Sequence, residues 1–215
     1  MSMTVVADPA AKVVLRGVSW DFYENFLREV DNQRIRVFLT YDRGALEIMA
    51  PSPYHERYKT LIARFIETLT MELNIPIVSG GSTTFRREDL ERGLEPDECY
   101  YIQHEAQVRE TREVNLLRDP PPDLVLEMDY TPHELDRESI YAALGVPEIW
   151  RYNIRRLEVL LREADGSYQV STTSATFPFL PMRELERFLL MRNTLDETTV
   201  VRRFRDWVVA KFPTK

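Results

Sequence analysis

Asp119-Pro120-Pro121-Pro122-Asp123-Leu124-Val125-Leu126-Glu127 decides how this chain folds. The prolines make a stiff approach, and the short apolar run Leu124-Val125-Leu126 suits a strand buried at the centre of a sheet. Glu127 closes the run. A carboxylate at the C-terminal end of such a strand is held rigidly at the sheet edge, where open α/β sheets place their ligands.

Downstream, Thr131 to Leu144 reads as a helix, with Thr131 as cap, Pro132 at its first position and Gly145 as its stop. Glu148 to Tyr152 and Leu157 to Leu161 read as strands, followed by a turn at Asp165-Gly166 and a strand near Tyr168 to Val170. Residues 181–215 carry two C-terminal helices, Pro181 to Arg192 and Leu195 to Phe212. Upstream, Asp97 to Ile102 and Ile77 to Phe85 read as strands. Tyr54 to Leu73 carries the clearest helical stripe: Tyr58, Leu61, Ile62, Phe65, Ile66, Leu69 and Leu73. Arg34 to Met49 alternates about a bend at Asp42-Arg43-Gly44, a hairpin signal, and Pro51-Ser52-Pro53 stops its second strand. Ser19 caps a first helix running to Val30, and residues 1–15 form a loose or edge-packed lead-in. With no repeat or linker to divide it, the chain is expected to be one α/β domain over residues 1–215, a mixed β-sheet flanked by α-helices.

The composition narrows the function classes. A net charge of −7 argues against a protein that coats nucleic acid, since that needs a basic surface, but it permits an enzyme touching a few phosphates. One cysteine, Cys99, rules out an intrachain disulfide and a cysteine zinc cage. No apolar run approaches the ~20 residues of a membrane span. Met1 to Lys12 lack the charged start and apolar stretch of a signal peptide, so the cytoplasm is the expected location.

Three acidic residues stand where apolar ones are expected. Glu47 interrupts Leu46 to Met49, Asp97 follows Pro96 at a strand start, and Glu127 ends the central run. A lone carboxylate is more often a solvated strand end or an arginine's partner. Converging, two or three would bind Mg²⁺ or Mn²⁺, which prefer hard oxygen ligands.

Several strings then agree in order and position: Leu46-Glu47-Ile48-Met49-Ala50-Pro51-Ser52-Pro53 with His55, Gly81-Ser82-Thr83-Thr84-Phe85 leading to Glu95-Pro96-Asp97, Pro122 to Glu127, and Tyr141 to Trp150. Over roughly residues 17–180 they resemble the Uma-two family, assigned to the endonucleases of the PD-(D/E)XK superfamily. The resemblance implies a restriction-endonuclease-like fold and a Mg²⁺-dependent (or Mn²⁺-dependent) endonuclease acting on nucleic acid, DNA first. Asp97 and Glu127 would be its metal ligands, with the backbone carbonyl of Met128 a candidate third. Glu47 would hold a second metal or a water. A homodimer is the analogous assembly.

The superfamily motif places a lysine two residues after the acidic residue; here that position is Asp129, which leans toward the ligand sphere. In many family members a lysine stands on the next helix instead, four residues before the tyrosine. Here it is Arg137, before Tyr141, and the two share a helix face. Arginine can stabilise charge on a phosphate but is no base. The other lysines, Lys12, Lys59, Lys211 and Lys215, offer no obvious substitute from their sequence positions. His55 is either a phosphate contact or a capping residue, and His104 and His133 read as surface residues. Arg86, Arg87 and Arg92 flank the loop before Asp97 and are candidates to meet a nucleic-acid backbone. The rival expectation is a non-catalytic module that keeps the nuclease fold. DNA against RNA, and whether Arg137 leaves the site active, stay open at this level.

Overall fold

The computed structural model describes residues 12–50, 52–129, 133–153 and 155–213. In chain order it runs through β1 (Lys12–Arg16), α1 (Trp20–Gln33), β2 (Phe38–Asp42), β3 (Ala45–Met49) and α2 (Pro53–Glu72). Then come β4 (Val78–Ser79), β5 (Phe85–Arg87), β6 (Arg92–Leu94), β7 (Glu98–Tyr101) and α3 (Glu105–Val108). The last part holds β8 (Leu124–Met128), α4 (Arg137–Leu144), β9 (Glu148–Tyr152), β10 (Leu157–Arg162), β11 (Tyr168–Ser171), α5 (Met182–Met191) and α6 (Glu197–Lys211).

These strands form two sheets. The first, β1-β3-β2-β6-β5, is antiparallel throughout; the second is β11-β10-β9-β8-β7-β4, in which β8 and β9 alone run parallel. A parallel neighbour needs a crossover, and α4 provides it. Helices and a mixed sheet thus give the α/β, restriction-endonuclease-like architecture expected from the sequence.

Local chemistry explains the element ends nearest the site. Ser52 Oγ accepts the amide of His55 at 3.2 Å and Pro53 opens α2, so the helix starts there. The β2–β3 hairpin turns on Arg43 and Gly44, both at positive φ (43° and 91°), as a two-residue turn matching strand twist requires. Gly145, at φ 87°, ends α4.

The core lies on both sides of the second sheet. Leu124, Leu126 and Met128 of β8 and Trp150 of β9 pack under α2, α5 and α6, with Phe65, Phe188 and Phe204. Val125 and Ile149 face the other way, onto Ile140, Tyr141 and Leu144 of α4 and onto Phe85 and Leu94 of the first sheet. A separate cluster of Tyr23, Leu27, Leu39, Tyr41 and Leu46 glues α1 to the far face of the first sheet.

The structure corrects several sequence expectations. Ile77 to Phe85 is not one strand: Val78–Ser79 pairs with β7 and Phe85–Arg87 with β6, in different sheets. The helix expected from Thr131 begins at Arg137 with Asp136 Oδ1 as its cap, while Thr131 and Pro132 lie outside the described residues. The described end of the lead-in takes the edge-packed form of the two expected: it is the edge strand of the first sheet, Lys12 pairing with Met49 and Val14 with Glu47. Among the described residues no helix is long and apolar enough to cross a membrane.

Candidate metal centre

β8 ends at the seam between the sheets. Its alternation turns Val125 and Glu127 toward α4. There Arg137 Nη2 donates to Glu127 Oε1 at 2.6 Å and to the Glu95 carbonyl at 2.7 Å, while Nη1 donates to Thr40 Oγ1 at 2.5 Å. The Tyr141 hydroxyl donates to the same Glu127 oxygen and accepts from Arg137 at 3.2 Å. One guanidinium therefore ties β2 of the first sheet to β8 of the second.

Asp97 comes to the same place along β7. Extending the Glu98–Leu126 register by one residue sets Asp97 opposite Glu127. Its Oδ2 accepts the Met128 amide at 2.6 Å, and His55 Nε2 lies 3.0 Å from it. His55, Asp97, Glu127 and Arg137 are all buried.

Burial disfavours a charged carboxylate. It pushes Glu127 above the usual carboxylate range, Arg137 pulling it back and Asp97 raising it further. Arg137 stays a cation despite its burial because Glu127 faces it. Burial also opposes the His55 imidazolium, but contact with Asp97 and its charge outweigh this and raise the His55 pKa.

Glu47 sits at the next layer out. Its Oε1 meets His133 Nδ1 at 2.6 Å and its Oε2 accepts the Glu134 amide at 2.7 Å. Burial works against this carboxylate, yet those two bonds hold its pKa below the usual range. A cavity of about 180 Å³ opens beside Glu127 and His133, lined also by Asp129, Arg137, Tyr141 and Arg151.

A hard divalent cation fits this donor set in a limited way. Among the described residues no three His, Cys, Asp or Glu side chains gather into a cage. The described contacts engage Oδ2 of Asp97 and Oε1 of Glu127, which leaves Oδ1 and Oε2 as donors. Two carboxylates with water and substrate oxygens completing the shell is how Mg²⁺ is commonly held. A cation between them would also relieve the burial and repulsion bearing on Glu127.

The Uma2 family model, described as "putative restriction endonuclease", matches residues 20–194. The chain belongs to the Uma2 family. No curated protein matches it. The matched stretch runs from α1 to just beyond α5, so it holds Asp97, Glu127, Arg137 and Glu47; β1 lies ahead of it.

Of the residues singled out from the sequence of this Uma2 protein, Glu127 and Arg137 are in direct contact, and Asp97 stands opposite Glu127 in the strand register. Met128 joins them through its amide, and Asp129 lines the cavity. Glu47 is separated by its bonds to His133 and Glu134. His133 is not the surface residue expected: its side chain is 15% exposed and bound to Glu47. His104 pairs with Asp123, whose Oδ2 also accepts the amides of Ile102 and His104 and so shapes the turn after β7. Arg92 is tied to Asp42 and the Ser139 carbonyl, whereas Arg86 and Arg87 line a groove of about 670 Å³ together with Arg28 and Arg112. Thr40 and the Glu95 carbonyl escaped sequence reading. A threonine within Phe38-Leu39-Thr40-Tyr41 is the one local sign of the former.

Glu95 itself bears a testable consequence. Its carboxyl is held between the Thr84 hydroxyl (2.8 Å) and the Leu39 amide (3.3 Å), and burial lifts its pKa from 4.5 to about 7. The folded state then binds more protons than the unfolded state between pH 4.5 and about 7, so stability falls as pH rises through that window. At about 1.4 kcal/mol per unit the loss is at most about 3.5 kcal/mol. Urea unfolding at pH 5 and pH 8 should show it, and Glu95→Gln should flatten it.

Proposed function

We propose that this Uma2 protein is a metal-dependent endonuclease hydrolysing phosphodiester bonds of nucleic acid, DNA first. The observation that carries the proposal is the meeting of buried Asp97 and Glu127 at the end of β8 in a chain of this family. The reading takes residues 1–215 as one nuclease domain, in the cytoplasm, working as a homodimer where both strands are cut.

Asp97 and Glu127 would hold Mg²⁺ or Mn²⁺, with the Met128 carbonyl a candidate third donor and Glu47 and Asp129 nearby. Bound there, such an ion would supply Lewis-acid chemistry, activating a water and offsetting charge on the phosphoryl oxygens. The chain's own groups prepare the place. The Met128 amide and His55 fix the Asp97 rotamer. Arg137 and Tyr141 fix Glu127, and Arg137 offsets part of the carboxylates' charge. The Arg137 Nε–H has no partner among the described residues and lies buried in the site. It is left over as a donor for an anionic oxygen.

A second reading, a non-catalytic module on the same fold, is favoured by Asp129 at the motif's lysine position and by the commitment of both Arg137 terminal nitrogens to protein groups. Plasmid nicking separates the two. The proposal expects relaxed circles with Mg²⁺ or Mn²⁺ and none with EDTA. Folded protein that cuts under no condition supports the module instead.

A further inference from the structure

We propose that the groove of about 670 Å³ between the free edges of the two sheets is a binding site for a nucleoside monophosphate, separate from the candidate metal centre. The inference does not rest on the nuclease reading.

Chain topology makes the groove. β5 is the outer strand of the first sheet and β4 of the second, and both line it, together with the crossing segment at Gly80, Thr83 and Thr84. The crossing runs tight against β7: a Cβ on Gly80 would stand 2.5 Å from Cys99 Sγ, and the Gly80 amide donates to the Cys99 carbonyl at 2.9 Å. α1 and the loop after α3 supply the rest of the lining. Tyr101 brings the far end of β7 to the groove, four residues from Asp97, or about 13 Å along an extended strand. The volume falls in the range of about 300–1,000 Å³ usual for small-molecule sites.

A buried polar group in this lining has no partner. By strand alternation Tyr101 shares a face of β7 with Cys99, the face turned toward Phe85 and the first sheet. Tyr101 lines the groove, is 2% exposed, and its hydroxyl has no hydrogen-bond partner among the described residues. Buried hydroxyls are ordinarily paired, so this one is left as a donor for an oxygen bound in the groove.

The charges point to an anion. Arg86 is occupied by Glu24 at 3.0 Å and Glu113 at 4.0 Å, and Arg87 by Asp89 at 2.6 Å. Asp21 lies in the first turn of α1, where the helix N-terminus offsets its charge, and Glu88 is exposed. Arg28 of α1 and Arg112 of the loop after α3 line the same groove and form no ion pair among the described residues. Guanidinium forks with unused donors suit a phosphate, which they grip bidentately. Ser79 and Thr83 beside Trp20 and Val78 give the mixed polar and apolar lining that a sugar and a base require. A nucleic-acid strand fits less well, because strand binding needs a basic track and the chain carries a net charge of −7.

The test is calorimetric titration of adenosine and guanosine 5′-monophosphates, and of inorganic phosphate, into the full chain in EDTA. Wild type should show one site for at least one of the nucleotides, with inorganic phosphate at least about tenfold weaker because it leaves the apolar lining unused. Arg28→Gln and Arg112→Gln should each weaken nucleotide binding about tenfold, the loss of a charge-assisted contact. Tyr101→Phe should weaken it about threefold to tenfold yet melt no lower than wild type, since its hydroxyl has no protein partner to lose. Asp97→Asn should bind as wild type does. A folded wild type that binds neither nucleotide, or binding unchanged by Tyr101→Phe and Arg112→Gln alike, would overturn the inference. So would binding lost in Asp97→Asn, which would place the nucleotide at the metal centre, and so would phosphate binding as tightly as nucleotide. Plasmid cleavage enters none of these outcomes, so a failure here is distinguishable from a failure of the nuclease reading.

Discussion

Replacing Arg137 by methionine is expected to lower the unfolding free energy by about 3–5 kcal/mol, the cost of stranding a buried charge. The guanidinium is buried, sits 2.6 Å from Glu127, and joins the two sheets through Thr40 and the Glu95 carbonyl. Removing it leaves Glu127 charged without its counter-ion or forces the carboxyl to protonate. The companion variant Arg137→Met/Glu127→Met should recover a large part of the loss, because a buried pair exchanged for apolar groups is often neutral. Urea denaturation of the three proteins reads both effects. A single-variant loss below about 1 kcal/mol would assign the pair the worth of a surface ion pair, and the bridge between sheets would then not be held by this residue.

On the proposed function, Asp97→Asn is expected to lower cleavage by about 10³-fold or more, since a metal ligand's share of several kcal/mol of charge stabilisation would be lost at tenfold per 1.36 kcal/mol. The variant should stay folded, because the asparagine side-chain oxygen can still accept the Met128 amide. His55→Ala serves as the contrast. It removes a group that orients Asp97 without removing a donor, so it should reduce the rate far less. Equal losses in both would mean that the His55–Asp97 unit, rather than Asp97 alone, carries the step.

What could be read from the sequence followed from local pattern. The Pro-rich approach and apolar run of residues 119–127 marked β8 and put a carboxylate at its end. The stripe from Tyr58 to Leu73 marked α2, and Arg43-Gly44 marked the hairpin. Each depends on neighbours within a few residues. The unread parts depend on distant ones. Val78 and Phe85 lie close in sequence but pair with Tyr101 and Leu94 in separate sheets. Asp136, rather than a residue before it, caps α4 because its carboxylate reaches Ser139.

The candidate site divides in the same way. Asp97, Glu127 and Arg137 were visible as residue types at motif spacing, whereas their shared burial and the Thr40 bridge were not. His133 carries no local sign of its role, since its partner Glu47 lies on β3, far away in sequence.

The most direct test of the central claim, that Asp97 and Glu127 make one divalent-cation site, is a calorimetric titration of Mn²⁺ into wild type, Asp97→Asn and Glu127→Gln. One site per chain in wild type, lost or greatly weakened in both variants while each remains folded, is the predicted result. Mn²⁺ binding that is absent from folded wild type, or unchanged by either substitution, would contradict it.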